Sequence, residues 1–238
     1  MASRTTEKKP LLLTIVDIAA IVSMGVAIWM AYFYAPREIV MGEVQRIFYF
    51  HASSGWIGMA ALIGSSLVGI IYLIRPHKKW DILAVAAVEV GLVYSLMNIV
   101  TGSIWARPAW NTWWTWDPRL VTATIMELTF LAYLLLRQSI EDPERRARFG
   151  AIYSILAALT VPLSFYSIRI WRTLHPVVIG SGSPTAEGGF DMTRPMLYTL
   201  LMMILAFTLF GISVIWHRVR LGWLQDKVEE LRMKRMGA

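Results

Sequence analysis

The stretch AWNTWWTWDPR, residues 109–119, holds four tryptophans, and Trp105 stands just upstream. Each indole favours burial of about 150–250 Å² of surface, so Trp105, Trp110, Trp113, Trp114 and Trp116 call for an apolar cover. Lipid, the rest of the chain or a flat ligand could supply it. The chain also has four histidines, His51, His77, His175 and His217, and no cysteine. Neutral imidazole ligates iron, copper, zinc and nickel, whereas no thiolate is available to any metal. Glu38, Glu43, Asp117, Glu187 and Asp191 could add oxygen ligands, yet no HxxxH or HxxE spacing joins them to a histidine.

These residues must be positioned by an unusually apolar framework. Of 238 residues, 56% are hydrophobic and 16% charged, and mean hydropathy is +0.52; a soluble domain carries roughly 25% charged residues. The apolar residues fall in six blocks, at 11–34, 53–74, 82–104, 120–136, 151–170 and 195–216. A hydrocarbon core needs ~20 apolar residues per helical span. The pattern predicts an all-α, polytopic membrane bundle of six transmembrane helices. The first block follows Lys8 and Lys9 but outruns the ~7–15 apolar residues of a signal peptide. It ends in Trp29, Tyr32, Phe33 and Tyr34 and reads as a retained span.

Six spans put both termini on one side. Sixteen of the 23 basic residues fall on that side; the other seven are Arg37, Arg46, Arg107, Arg119, Arg169, Arg172 and Arg194. The positive-inside rule makes the richer face, and both termini, cytoplasmic. The net charge of +7 follows from that asymmetry and is no argument for nucleic acid. The chain divides into a membrane domain, 1–216, with outer connections at 35–52, 105–119 and 171–194, and a cytoplasmic tail, 217–238. In the tail, Leu221, Leu224, Val228 and Leu231 recur every three or four residues, which predicts an amphipathic helix. It could lie on the anionic inner leaflet or dock on a partner.

Within the spans, Gly55, Gly58, Ala60, Gly64, Ser65 and Gly69 give the second helix a small-residue surface suited to a central place. Asp17 and Glu89 lie at similar depth near the inner ends of spans one and three, where they could meet. Glu127 lies near the middle of span four. Interhelical hydrogen bonding would account for all three, and no chain of such groups crosses the membrane.

The topology also sorts the histidines. His77 and His217 fall at the inner edge, as solvated residues. His51 and His175 fall on the outer face, in the connections flanking the tryptophans. All six lysines are on the inner face, so the outer face uses arginine alone. Arginine forks onto carboxylates where lysine does not. An interfacial aromatic belt accounts for Trp29, Trp56, Trp80 and Trp171, but not for five tryptophans within residues 105–116. A macrocycle supplies four equatorial metal ligands and needs only one or two axial imidazoles. A haem, with its flat ring and propionates, would satisfy indoles, histidines and arginines together.

Three stretches carry a resemblance: WNTWWTWDPRL at 110–120, RIFYFHASSGW at 46–56 and YSIRIWRTLHP at 166–176. Over nearly its full length the sequence resembles the CcmC family, haem-handling membrane proteins of bacterial cytochrome c maturation system I. Asn111 stands where that family usually has Gly, and Pro118 follows the Asp where small residues are common. The resemblance implies non-covalent, transient binding of haem b on the periplasmic side of the bacterial inner membrane. His51 and His175 would be axial ligands of the iron, with Trp110, Trp113, Trp114, Trp116 and Asp117 holding the macrocycle edge. Arg46, Arg119 and Arg172, the arginines nearest these residues in sequence, are the candidates for gripping propionates. Implied partners are the haem chaperone CcmE, the small protein CcmD and the transporter subunits CcmA and CcmB.

Three rivals stand beside that expectation: a permease-type subunit of an ABC transporter, an electron-transferring b-type cytochrome, and an assembly scaffold. The sequence has no nucleotide-binding loop and no evident nucleophile–base pair, so an enzyme is not expected.

Overall fold

The computed structural model describes residues 8–39, 41–177 and 192–236. Among them the regular elements are helical. They are α1 (Leu11–Trp29), α2 (Ile47–Ile74), α3 (Lys78–Trp110), α4 (Pro118–Gln138), α5 (Pro143–Ala157), α6 (Thr160–Ile170) and α7 (Arg194–Met236). Together they make six helical segments long and apolar enough to cross a membrane, as the block pattern predicts, with α5 and α6 sharing one. Their outward faces are apolar: Leu11, Ile21, Phe33, Val93 and Leu159 are all exposed.

Several boundaries follow local chemistry that the apolar blocks do not report. α1 passes into a π-helical turn, Met30–Tyr34, before Pro36. α5 and α6 are separated at Ala158 and Leu159; Pro162, in the first turn of α6, has no N–H to continue the α5 ladder back to Ala158. α3 runs past residue 104 to Trp110. It carries Pro108 in its last turn and stops at Asn111, which adopts the left-handed conformation at φ 57°. Asparagine tolerates that region better than other residues bearing a Cβ, so Asn111 serves where glycine is the usual helix stop. Arg107 Nη1 donates to the Asn111 carbonyl at 2.7 Å and to its side-chain oxygen, fixing the stop.

α2 is the centre of the bundle, packed along α3 and touching α5 and α7. Gly55, Gly58 and Gly69 explain the closeness. A Cβ on Gly55 would sit 2.7 Å from Asn98 Nδ2, one on Gly58 2.9 Å from the Ser95 backbone, and one on Gly69 2.8 Å from Ser154 Oγ. The order of the first two pairs makes α2 and α3 antiparallel, and the third joins α2 to α5. Gly64 faces open space and takes no part.

α1 lies against α7. Near its start, Asp17 pairs with Lys9, accepts from Ser213 Oγ at 2.5 Å and lies 3.0 Å from His217 Nε2. Glu89 pairs with Arg218, whose Nη2 is 2.8 Å away. The two acids therefore do not meet each other; each reaches α7. His217 is an acid's partner and not simply a solvated residue. His77 caps α3, its Nδ1 accepting from Lys79 N at 3.1 Å. Glu127 accepts from Ser95 Oγ, an interhelical bond of the expected kind.

Candidate functional site

The site is assembled from three pieces: the first turns of α2, the far half of α3, and the connections flanking α4 and α6. His51 stands one turn into α2, facing α3. Asn98, Thr101 and Trp105 follow one another at spacings of three and four, so one face of α3 presents them all. His51 Nδ1 lies 2.9 Å from the Asn98 carbonyl and 3.4 Å from Thr101 Oγ1. Thr101 Oγ1 donates to the Met97 carbonyl at 2.7 Å, which leaves its lone pairs toward the ring. The Asn98 side chain closes the pair: Nδ2 donates to the His51 carbonyl at 2.7 Å and sits 3.2 and 3.5 Å from the two ring nitrogens. Gly102 supplies the space, since a Cβ there would be 2.9 Å from His51 Cε1.

His175 comes from the connection after α6. Its backbone N–H donates to Thr173 Oγ1 at 3.1 Å, and its Nδ1 lies 3.0 Å from the Pro176 carbonyl. A carbonyl can only accept, so Nδ1 carries the proton in both rings. That tautomer leaves the Nε2 lone pair for a metal, the second-shell pattern by which proteins orient histidine ligands. The ring centroids are 6.1 Å apart and the planes are inclined by 38°. Burial, then the nearby Arg119 cation and His51, holds the His175 pKa down at about 3, so the imidazole is neutral at physiological pH.

Two cavities share His51, Asn98, Trp105, Arg119 and His175 in their walls. One extends between Trp110, Trp114, Leu120 and Ala123. The other, the larger, extends toward Phe48, Trp56, Phe165, Arg169 and Pro176. The histidine pair thus stands where the two spaces meet. Trp105 and Trp110 pack edge to face at 5.1 Å, as do Trp114 and Trp116 at 5.8 Å. The buried Trp114 Nε1 has no hydrogen-bond partner among the described residues, an orphan donor in a cavity wall.

Arg119 is the cation common to both cavity walls. It stands at the start of α4, and its Nη1 donates to the carbonyl and Oγ of Ser164 on α6, at 2.8 and 2.7 Å. Asp117 sets it there. The Asp117 carboxylate accepts from Arg119 N at 2.9 Å and Leu120 N at 3.1 Å, a helix N-cap with Pro118 in the first position. Asp117 acts through the helix it caps.

The remaining residues singled out from sequence stand elsewhere. Trp113 and Trp116 are 58% and 78% exposed and belong to neither cavity wall. Arg46 pairs with Glu43, donates to the Ala31 carbonyl beside the π-helical turn and covers the Tyr32 ring at 5.7 Å. It braces the first connection. Arg172 is exposed and outside both walls. Glu187 and Asp191 lie outside the described residues. Sequence reasoning passed over Asn98, Thr101, Gly102 and Phe165, although the polar spacing along α3 was a usable signal, and it named Arg169 only among the seven outer arginines.

Among the described residues no group of three His, Cys, Asp or Glu converges to hold a bare metal ion. The donor set is two neutral imidazoles, suited to a metal that brings its own equatorial ligands.

Comparison with known proteins shows the family. The family profile described as CcmC: Heme exporter protein C matches residues 2–234. Heme exporter protein C of Bradyrhizobium diazoefficiens is 31% identical over 199 residues, covering 84% of this chain and 74% of that protein. The proteins of the same name from Paracoccus denitrificans and Escherichia coli are 28% and 27% identical, covering 87% and 92% of this chain and 81% and 88% of theirs.

Proposed function

The chain belongs to the heme exporter protein C family, and we propose that it holds haem b between His51 and His175 on the periplasmic side and passes it to the chaperone CcmE. The haem is cargo, held transiently as a handling step in cytochrome c maturation. The observation that carries this reading is the pair of Nδ1-anchored imidazoles, 6.1 Å apart between two apolar cavities. Haem supplies the iron and its four equatorial nitrogens. The protein's residues do the rest. The Asn98 and Pro176 carbonyls orient the imidazoles, Trp105, Trp110 and Trp114 offer indole surface, and Arg119 offers a cation to a propionate. The orphan Trp114 Nε1–H is a second donor for the same carboxylate.

With no cysteine in the chain, no thioether bond can form, so haem held this way stays exchangeable. The periplasmic assignment rests on the excess of Lys and Arg on the opposite face. The partner set of CcmE, CcmD, CcmA and CcmB rests on family membership. The intramembrane acids lend little to a permease reading, since Asp17, Glu89 and Glu127 each have a structural partner.

The test is the visible spectrum and haem content of the purified protein in nanodiscs. His51→Ala and His175→Ala should each lose haem or shift the Soret and α bands, with the α-helical circular dichroism unchanged. Retention of wild-type spectra and haem content in both variants would remove the axial-ligand reading.

A further inference from the structure

We propose that the stretch of α7 beyond His217 is a docking surface for an amphipathic helix of another protein, one whose apolar seam is rimmed by acidic side chains. α7 is a single helix of 43 residues, so the tail continues the sixth span directly. At 1.5 Å per residue, the part after residue 216 projects about 30 Å beyond a 30 Å hydrocarbon core. Two contacts hold its root against the start of α3. Lys78 pairs with Asp226, and Gly222 fits against Ile82 so closely that a Cβ would sit 2.7 Å from Ile82 Cγ2.

Leu221, Leu224, Val228 and Leu231 lie on the side turned away from α3, at 46%, 55%, 49% and 58% exposure. Their spacing of three, four and three is the a/d seam of a coiled coil, which needs a second helix to cover it. The charges are sorted around that seam. Arg220, Lys227 and Lys234 border one edge, and Gln225 and Arg232 the other. The acids Asp226, Glu229 and Glu230 point round to the α3 side.

This sorting selects the occupant. A second copy in parallel register would set Lys227 against Arg232, and in antiparallel register the Arg220–Lys227–Lys234 edge against itself. Both are like-charge rims. Lying on the bilayer would break the helix away from its root contacts with Lys78 and Ile82. An acidic rim on the incoming helix complements the Lys227, Lys234 and Arg232 edges, and the pairing that sets partner choice at such positions is electrostatic. On-helix pairs of Lys234 with Glu230 at 2.5 Å and Arg232 with Glu229 at 3.7 Å are exposed and weak, so they do not stand in for a partner.

The absence of native cysteine makes the test direct. A spin label at Val228→Cys in the full chain, in nanodiscs, is titrated with a three-heptad peptide carrying Leu at a and d and Glu at e and g. The same peptide with Lys at e and g is the control. The acidic peptide should immobilise the label, and raising salt from ~0.05 to ~0.5 M should weaken it, as screening of exposed pairs requires. Leu224→Asn with Leu231→Asn should weaken binding by about tenfold or more. Lys227→Glu with Arg232→Glu and Lys234→Glu should transfer preference to the Lys-rimmed peptide. Haem content should be unchanged in these variants, which separates this surface from the histidine site. Equal binding of both peptides, or of neither, overturns the proposal. So does dipolar broadening between labels of two copies, or a label buried in lipid on anionic nanodiscs.

Discussion

Gly102→Ala is a one-methyl probe of how closely α3 holds His51. The added Cβ would lie 2.9 Å from Cε1 and 3.2 Å from Nδ1 of the ring. Carbon contacts normally settle at about 3.5–4.0 Å, so the ring or the helix must give by about 0.6 Å or more. The ring has little freedom to retreat. Its Nδ1 is tied to the Asn98 carbonyl at 2.9 Å, and the Asn98 side chain holds the His51 carbonyl at 2.7 Å. A retreat of that size stretches the Nδ1 bond to about 3.5 Å, beyond the range of a normal N–H···O bond. Overpacking of this kind costs about 1–3 kcal/mol. Expressed in haem binding, that is a weakening of about 5- to 150-fold. Gly64→Ala is the paired control, because nothing lies within 4 Å of its Cβ position. The assay is haem content by pyridine haemochrome and the Soret position of nanodisc-embedded protein, with Tm alongside. Gly64→Ala should match wild type in haem and equal or exceed it in Tm, as Gly-to-Ala changes in open helix positions do. A Gly102→Ala protein with full haem content and an unshifted Soret band would refute the close-packed ligand shelf.

Two further outcomes follow from the same geometry. Arg119→Lys loses the forked guanidinium and its two bonds to Ser164, at 2.8 and 2.7 Å, so haem retention should fall, whereas Arg172→Lys, outside both cavity walls, should retain haem; equal effects in a haem-loss time course would show that the cavity walls do not identify the propionate site. Asp117→Ala removes the cap of α4 and should lower stability by about 0.5–2 kcal/mol, while Asp117→Asn keeps an accepting oxygen and should stay near wild type; a Tm drop as large for Asn as for Ala would mean that the negative charge, and not the cap, is what matters.

Much of the fold was legible because bilayer-crossing helices advertise themselves by length and composition, and all six blocks became crossing segments. Their ends were less legible. Trp105 and Trp110 read as loop residues, yet α3 continues through them and through Pro108, and only Asn111 turns the chain. The two outer histidines stood out by type and topology. Arg46 and Arg172 were placed beside them by sequence proximity, which says nothing about facing: Arg46 turns back to Ala31 and Glu43. Asp117-Pro118 was readable as a cap followed by a first-position proline, a better guide to its role than its place beside the tryptophans. The face formed by Asn98, Thr101 and Trp105 went unread because these uncharged residues sit in an apolar block without disturbing it.

The tautomers give the site its physical logic. Each imidazole is fixed through a backbone carbonyl near it, Asn98 for His51 and Pro176 for His175, so neither ring depends on the other or on cargo to choose its protonated nitrogen. A carrier benefits from that independence. If one ligand were released during transfer, the second would keep its orientation and its neutral charge, with burial and Arg119 holding the His175 pKa near about 3. Meanwhile Trp113 and Trp116 stand exposed outside both cavity walls, with Trp116 packed on Trp114 of the wall. On the proposed function, these two indoles belong to the transfer step more than to the resting grip. Truncating Trp116 should therefore slow delivery to CcmE more than it lowers haem content.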